Sequence, residues 1–384
     1  MERAVLVAAA REGTPVWVFD LDMIADNCRR LDAAGGSFNA RFHYAIKAND
    51  HPAVLAAVEG TGTGAEAASF REYDLARSAG FESARIVFNG PLKTDSELAA
   101  ALGAGALVNV DSLAELERAL ALRIHGARIG VRLQTNLLEG VVGDRFGLAE
   151  GEVMEAARRL RESGSTIEQL HTHVGSYAVT SGEGPTARRL NLIWPRGPEL
   201  TRRICRGLLK VVALVTNAGC HPASISLGGG LPAPDHCGPH FDAVLEELQS
   251  SPDLAVVFEP GRAIVMGAGA MVTRVVSIRK SAAAKQEVVV DAGTHLLPSA
   301  QWKDLRLSSL GDVDGELIPT TVFGPLCLQS DVLAWESPLP ACREGDLLVV
   351  EDVGAYNLIR SSPFIFSLAP VAFLEDGKLR LGPR

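Results

Sequence analysis

Little in this sequence points to a disulfide-stapled, metal-clustered or membrane-spanning protein. Its six cysteines, Cys28, Cys205, Cys220, Cys237, Cys327 and Cys342, are scattered through 384 residues without a Cys-x-x-Cys pair or a framework spacing. That pattern excludes a zinc ribbon and suits a reducing compartment. No apolar run approaches the roughly 18 residues of a membrane helix; the longest, 263–272, is broken by glycines. The N-terminal apolar stretch is short and follows Glu2, unlike a secretory signal, so a cytoplasmic protein is expected. Basic residues are outnumbered, 37 against 46, for a net charge of -9. A surface devoted to nucleic acid or to an anionic membrane is therefore not expected, and the partner is a small molecule. There is no low-complexity segment and no repeat beyond the strand-helix units described next.

At 47% hydrophobic residues the chain can build a large core, and its length suits a barrel of about 250 residues with a smaller companion. From residue 41 onward, eight β-rich segments recur: RFHYAI, TGTGAE, RIVFNG, ALVNVD, RIGVRL, IEQLHTHV, SISLGG and AVVFEP. Between them lie stretches such as SLAELERALALRIHG, with apolar residues at three-to-four spacing and Asp or Ser at the start, as crossover helices require. The pattern predicts an α/β fold, a (β/α)8 TIM barrel over residues 21–266. After Arg262 the helical pattern fades into AMVTRVVSI, QEVVVDAG, TTVFGP and DLLVVED, which predicts a β-rich domain, sandwich or barrel-like, over 267–384 joined by residues 1–20. The longest connection, Gly175 to about Ala223, contains the polar WPRG segment and is expected to form a lid or a partner-contact loop before its helix.

Barrel active sites lie at the C-terminal ends of the strands, and reactive residue types collect there. Lys47 follows the first strand in YAIKAN, a rigid base for a Schiff-base nucleophile, although a solvated lysine opening a loop reads the same way. His171 and His173 alternate and are expected on one strand face, for metal ligation, for stacking on an aromatic ligand, or as core histidines. SLGGGLP ends a strand in three glycines whose bare N–H groups suit a phosphate. FEPGR ends the last strand with Glu259 and Arg262, a salt bridge in the plain reading. Together these parts match what pyridoxal phosphate needs: an amine, a phosphate cradle, a carboxylate at the pyridine nitrogen and a stacking group.

At this point the sequence resembles the fold-type III pyridoxal-phosphate-dependent decarboxylases, the family of ornithine, arginine and diaminopimelate decarboxylases. The motifs are YAIKAN at 44–49, GAEAAS at 64–69, DRFG at 144–147, HVGS at 173–176, GGG at 228–230, EPGR at 259–262, GPLC at 324–327 and GAY at 354–356. The resemblance implies that Lys47 carries the cofactor, His173 stacks on its ring and Glu259 pairs with its nitrogen. It implies that Ser176, Gly229, Gly230, Gly261, Arg262 and Tyr356 hold the phosphate, with Glu66 and Arg132 beneath the cofactor. Glu66 stands where the family more often has aspartate. Cys327 matches the family's proton donor, which enters from the partner subunit, so a homodimer with shared sites is implied.

Two departures concern the substrate. The residue after the cysteine is usually acidic but here is Leu328, followed by Gln329 and, further on, Asp331, and these three are the substrate-binding candidates. The arginine that diaminopimelate enzymes carry after VVVDAG is missing between Asp291 and Pro298. The expected activity is thus decarboxylation of an amino acid or amino-acid-derived intermediate, free or carrier-linked, other than free lysine, ornithine or diaminopimelate. Siderophore or antibiotic assembly would use such a substrate. A racemase is the alternative within the fold, disfavoured by Glu259 where racemases place arginine. A metal-dependent barrel hydrolase using His171 and His173 is the alternative outside it.

Overall fold

The computed structural model describes residues 1–36, 38–138, 145–174, 177–181, 188–192, 196–251, 253–280, 285–311 and 316–382. Two compact units divide the chain, Asn27–Ile264 and Met1–Asp26 with Val265–Arg384. Strands are numbered along the chain from β1, Val16–Asp20.

The first unit is a closed parallel barrel of eight strands. They are β2 (Ala40–Ala45), β3 (Gly64–Ala67), β4 (Ile86–Phe88), β5 (Leu107–Val110), β6 (Arg128–Arg132), β7 (Gln169–His171), β10 (Ser224–Ser226) and β11 (Ala255–Phe258). Every segment expected to be a strand from residue 41 onward contributes one, because each is a short apolar run closed by a polar or glycine residue. The crossover helices start where side chains satisfy their first N–H groups. Thr94 and Glu97 form a reciprocal cap on Asp95–Gly103, which buries Leu98, Ala101 and Leu102. Ser112 caps Leu113–Ala121 by accepting from the Glu115 N–H.

Two local expectations are corrected. β7 ends at His171, so His173 lies past the strand and does not share a strand face with it. The long connection after β7, expected as a loop before its helix, also contains an antiparallel ribbon of β8 (Tyr177–Ser181) and β9 (Arg188–Leu192) ahead of that helix, Pro198–Asn217. Within WPRG, Trp194 and Pro195 lie outside the described residues, and Arg196 is 4% exposed and so not a solvated loop residue.

The second unit is built on a nine-stranded sheet. β1 is an inner strand of this sheet, antiparallel to β12 (Gly269–Lys280) and parallel to β18 (Val371–Glu375). Around it lie β13 (Gln286–Val290), β14 (Arg306–Ser309), β15 (Ile318–Phe323), β16 (Val332–Leu339), β17 (Leu347–Glu351) and β19 (Lys378–Gly382). Alternation along β1 divides its side chains between two faces. Val16 and Val18 join Leu6, Ala9 and Ala10 of the N-terminal helix, Arg3–Ala10, in one apolar cluster. Trp17 stacks on Phe19, which stacks on Phe373. The N-terminal helix has no polar face in its sequence, RAVLVAAA, so periodicity did not reveal it. Among the described residues no helix is long and apolar enough to cross a membrane.

Just past β4, Lys93 is sealed inside the barrel unit. Its ammonium donates to Gly90 O at 2.6 Å, Asn109 O at 3.1 Å and Glu115 Oε1 at 2.9 Å, which uses all three of its protons. The Glu115 carboxylate is 3% exposed and its other oxygen accepts from the Asp111 N–H. Removing one member of such a pair leaves the other charge buried and uncompensated. Lys93→Met is therefore expected to cost about 3–5 kcal/mol in urea unfolding. A loss below about 1 kcal/mol would mean that this pair does not hold the loop.

Candidate active site

The strand ends bring Lys47, Glu66, Asn89, His171 and Glu259 into one hydrogen-bonded cluster. Lys47 follows β2 on a single 3-10 turn, Ile46–Ala48, and its ammonium pairs with Glu66 Oε2. The Glu66 side chain is 2% exposed and that of Lys47 is 36% exposed, so the amine is the part of the pair that solvent or a ligand reaches. The Asn89 amide donates to Glu66 Oε1 at 3.0 Å and to Glu259 Oε1 at 3.3 Å. Glu259 Oε1 also accepts from Ser226 Oγ at 2.9 Å, and Oε2 lies 3.2 Å from His171 Nε2. Burial opposes the charge on Glu259. The imidazole of His171, by charge and hydrogen bond, and the Lys47 ammonium outweigh that and hold the carboxyl well below its usual range.

These anions orient everything behind them. An ionised carboxylate only accepts, so Asn89 must turn its NH2 toward Glu66 and Glu259 and its oxygen away. That oxygen accepts from Asn109 Nδ2 at 2.8 Å, which also donates to Gln169 Oε1 at 2.9 Å. Gln169 then donates to Ser224 Oγ at 3.1 Å. The cost of this fixed direction falls on Asn109, whose Oδ1 is buried without a partner among the described residues. Sequence reasoning missed Asn109, Gln169 and Ser226. Their only signal was polar residues inside short apolar strands, LVNV, QLH and SIS.

The glycine turn follows β10. Gly228 has φ +64° and a Cβ there would lie 2.7 Å from His173 Nδ1; Gly230 has φ +105°. The expectation that the Gly229 N–H is bare is corrected, since it donates to His173 Nδ1 at 3.0 Å. The bond places the imidazole proton on Nε2 and fixes the ring plane. Burial pulls His173 well below its usual range, and the charges of Lys47 and Arg132 push the same way, so the ring is neutral at physiological pH. Arg132, at the end of β6, lies 3.8 Å from Asp111 and 4.6 Å over the ring of Phe146 in DRFG. Gly261 accepts from the Ile264 N–H, and Arg262 is half-buried at the start of the short turn Arg262–Val265. Ser176 and Asp144 lie outside the described residues.

The remaining candidates belong to the β-rich unit. Tyr356 is half-buried with φ +61°. Cys327 is exposed, as are Leu328 at 45% and Gln329. Asp331 is corrected: at 2% exposure its two oxygens accept from the Thr294 N–H and the Leu326 N–H, each at 2.7 Å, so it anchors the loop from within rather than facing a substrate. Gly324 of GPLC makes room for it, because a Cβ there would lie 2.2 Å from Asp331 Oδ2. Among the described residues no group of three or more His, Cys, Asp or Glu side chains is arranged to hold a metal ion.

Residues 21–183 match the family model described as the pyridoxal binding domain of pyridoxal-dependent decarboxylase. Diaminopimelate decarboxylase of Deinococcus radiodurans is 31% identical, with 96% of this chain and 92% of that protein aligned. The Archaeoglobus fulgidus enzyme of the same name is 29% identical over 92% of this chain and 85% of its own. Among solved structures, Helicobacter pylori diaminopimelate decarboxylase complexed with L-lysine matches with a TM-score of 0.82 at 26% identity, covering 96% of this chain and 93% of that one. The lysine/ornithine decarboxylase of Vibrio vulnificus complexed with putrescine matches with a TM-score of 0.80 at 25% identity, covering 97% and 98%.

Two histidines with depressed pKa values, His43 and His173, give the barrel a pH signature. Burial, reinforced by Arg41 and two further arginines against the opposing pull of Glu259, lowers His43 to about 4, and His173 is also depressed. For His43 the unfolded chain takes up a proton near pH 6.5 that the folded chain refuses until about pH 4, and His173 acts in the same direction, so the unfolded chain binds more protons across that window and stability falls with acidification. The urea midpoint is expected to be lower at pH 5 than at pH 7. Equal midpoints would show that these rings titrate normally in the folded protein.

Proposed function

Because the chain belongs to the fold-type III pyridoxal-phosphate-dependent decarboxylases, we propose that the strand-end cluster is its active site and that it removes the α-carboxylate of an amino-acid-type substrate as carbon dioxide. The carrying observation is the joint placement of Lys47, Glu66 and Glu259 around Asn89. Pyridoxal phosphate, when bound, supplies an electron sink for the electron pair that the departing carboxylate leaves at Cα.

The residues present fit that cofactor. A carboxylate offers about four lone-pair positions, and Asn89, Ser226 and His171 take three of those on Glu259, which leaves one for a protonated pyridine nitrogen. Glu259, held ionised, keeps the proton on that nitrogen. Lys47 would be the amine for the aldehyde, with Glu66 and Arg132 assigned to positions beneath the cofactor. His173, neutral and pinned by the Gly229 N–H, offers a ring face for stacking. Gly229 itself, Gly230, Gly261, Arg262, Ser176 and Tyr356 are assigned to the phosphate. For Gly229 that assignment rests on the absence of a side chain, since its N–H is already used.

Cys327 is assigned as the proton donor at Cα, supplied by the partner subunit of a homodimer. Its exposure supports this reading, as does the anchoring of its loop by Asp331. For the substrate, the relatives named above act as diaminopimelate or as lysine/ornithine decarboxylases, which makes those amino acids the reference substrates. Leu328 gives a free diamine end no carboxylate, and the buried segment around Leu296 and Leu297 gives a distal carboxylate no arginine. A far end that is neutral, enlarged or conjugated, including a carrier-linked one, suits these residues better, as in specialised metabolism.

Borohydride treatment of the holoenzyme is expected to fix a pyridoxyl group on Lys47, located by peptide mapping. A label on another lysine, or none, overturns the cofactor assignment. A screen of amino acids and their conjugates for carbon dioxide release tests the substrate. A kcat/KM of about 10⁴ M⁻¹s⁻¹ or above on free lysine, ornithine, arginine or meso-diaminopimelate overturns the specificity proposed here, though not the decarboxylase activity.

Mixing the inactive variants Cys327→Ala and Lys47→Ala is expected to restore activity, since a mixed dimer holds one intact site. No recovery after verified subunit exchange would mean that the thiol acts within its own chain or not at all, and would overturn the shared-site assignment.

A further inference from the structure

Arg196 is a buried cation for which the reading so far gives no use. It precedes the helix Pro198–Asn217 and is 4% exposed. Its backbone N–H donates to Gly230 O at 3.1 Å and its Nη1 donates to Leu227 O at 2.8 Å, so it grips both ends of the glycine turn. Its Nε and Nη2 are buried without a hydrogen-bond partner among the described residues. Burial lowers the guanidinium to about 10, and the thiols of Cys237 and Cys205 are the first neighbours to oppose that, ahead of Glu259. It therefore stays protonated at neutral pH with no carboxylate paired to it among the described residues.

A turn could be held by a neutral donor at far lower desolvation cost, because a buried charge is tolerated only when something of opposite sign answers it. The geometry says where that answer would come from. In a trans peptide the carbonyl and the next N–H point in opposite directions. With the carbonyls of Leu227 and Gly230 turned toward Arg196, the N–H groups of Gly228 and Leu231 are turned away from it. The Gly228 N–H does point inward, to Ser226 Oγ at 3.3 Å. A cation behind the turn polarises both peptides so that their positive ends point away from it, on the side of the turn where Ser226 lies.

We infer that Arg196 is a positioning residue for the phosphate ester of the cofactor, acting through the peptides of the glycine turn, and that the phosphate dianion on the turn's far side is the counter-charge of its guanidinium. This rests on the reading above that the turn holds the cofactor's phosphate. It assigns to the phosphate a cation that does not touch it, in addition to Arg262.

Binding of pyridoxal phosphate and of unphosphorylated pyridoxal to the apoenzyme, followed by absorbance, separates the possibilities. Arg196→Gln keeps a donor for Leu227 O and removes the charge, and Arg196→Lys keeps the charge. Arg196→Gln is expected to weaken pyridoxal phosphate by at least about tenfold while leaving pyridoxal within about twofold. Arg196→Lys is expected to retain most of the affinity for both. Inorganic phosphate should compete with pyridoxal phosphate for the wild-type apoenzyme and compete less well for Arg196→Gln. Equal weakening of both ligands in Arg196→Gln would reduce Arg196 to a clamp on the turn, and unchanged affinities would remove it from cofactor binding; either result overturns the inference. If the wild-type apoenzyme does not prefer pyridoxal phosphate over pyridoxal, or labels a lysine other than Lys47, the underlying reading of the site fails instead.

Discussion

Two carboxylates buried in one barrel interior set the terms for the rest of this structure. Glu66 and Glu259 are 1% and 3% exposed, and two like charges so placed would ordinarily drive one of them to take up a proton. Asn89 counters that by donating one hydrogen of its NH2 to each, while the Lys47 ammonium pairs with Glu66 and a ring nitrogen of His171 lies against Glu259. Asn89 is therefore as much a part of the cluster as the acids. Without it, the two anions would face each other with no donor between them.

The same arrangement spreads into places that look unrelated to chemistry. Polar residues inside a barrel are costly unless each is answered. Here the answers run in one direction, from the acids through Asn89 and Asn109 to Gln169 and Ser224. His173 is fixed by a different device, a glycine N–H from a neighbouring loop, and its ring stays neutral. Cations, amides and glycine backbone thus divide the work by what each can offer: charge, direction and closeness.

Much of this was legible in the sequence and some was not, for reasons that can be named. The eight barrel strands were readable because each buried run is short and closed by a residue that ends it, and Lys47 and Glu259 were readable because they stand at those ends. Asn109 and Gln169 were hidden because a lone polar residue in an apolar strand has the same appearance whether it joins a network or faces a loop. Arg196 was misjudged as part of a polar surface segment, since sequence shows a charge but not the carbonyls that draw it inward. Asp331 was misassigned for the converse reason: an acid close to a reactive cysteine suggests a ligand contact, but both its oxygens are spent on main-chain N–H groups. The N-terminal helix gave no periodic signal because its apolar residues surround its axis.

The anchoring of the cysteine loop has a consequence for how this protein can change over generations. Asp331 holds the loop through the backbone of Thr294 and Leu326, and Gly324 gives it room, so the shape of the segment does not depend on the side chains at its tip. Residues 328–330, all exposed, can be exchanged one at a time while the path of the chain stays put. A loop stapled from inside by one acid is thus a place where new substrate preferences can arise by single substitutions, without first disturbing the fold that carries them.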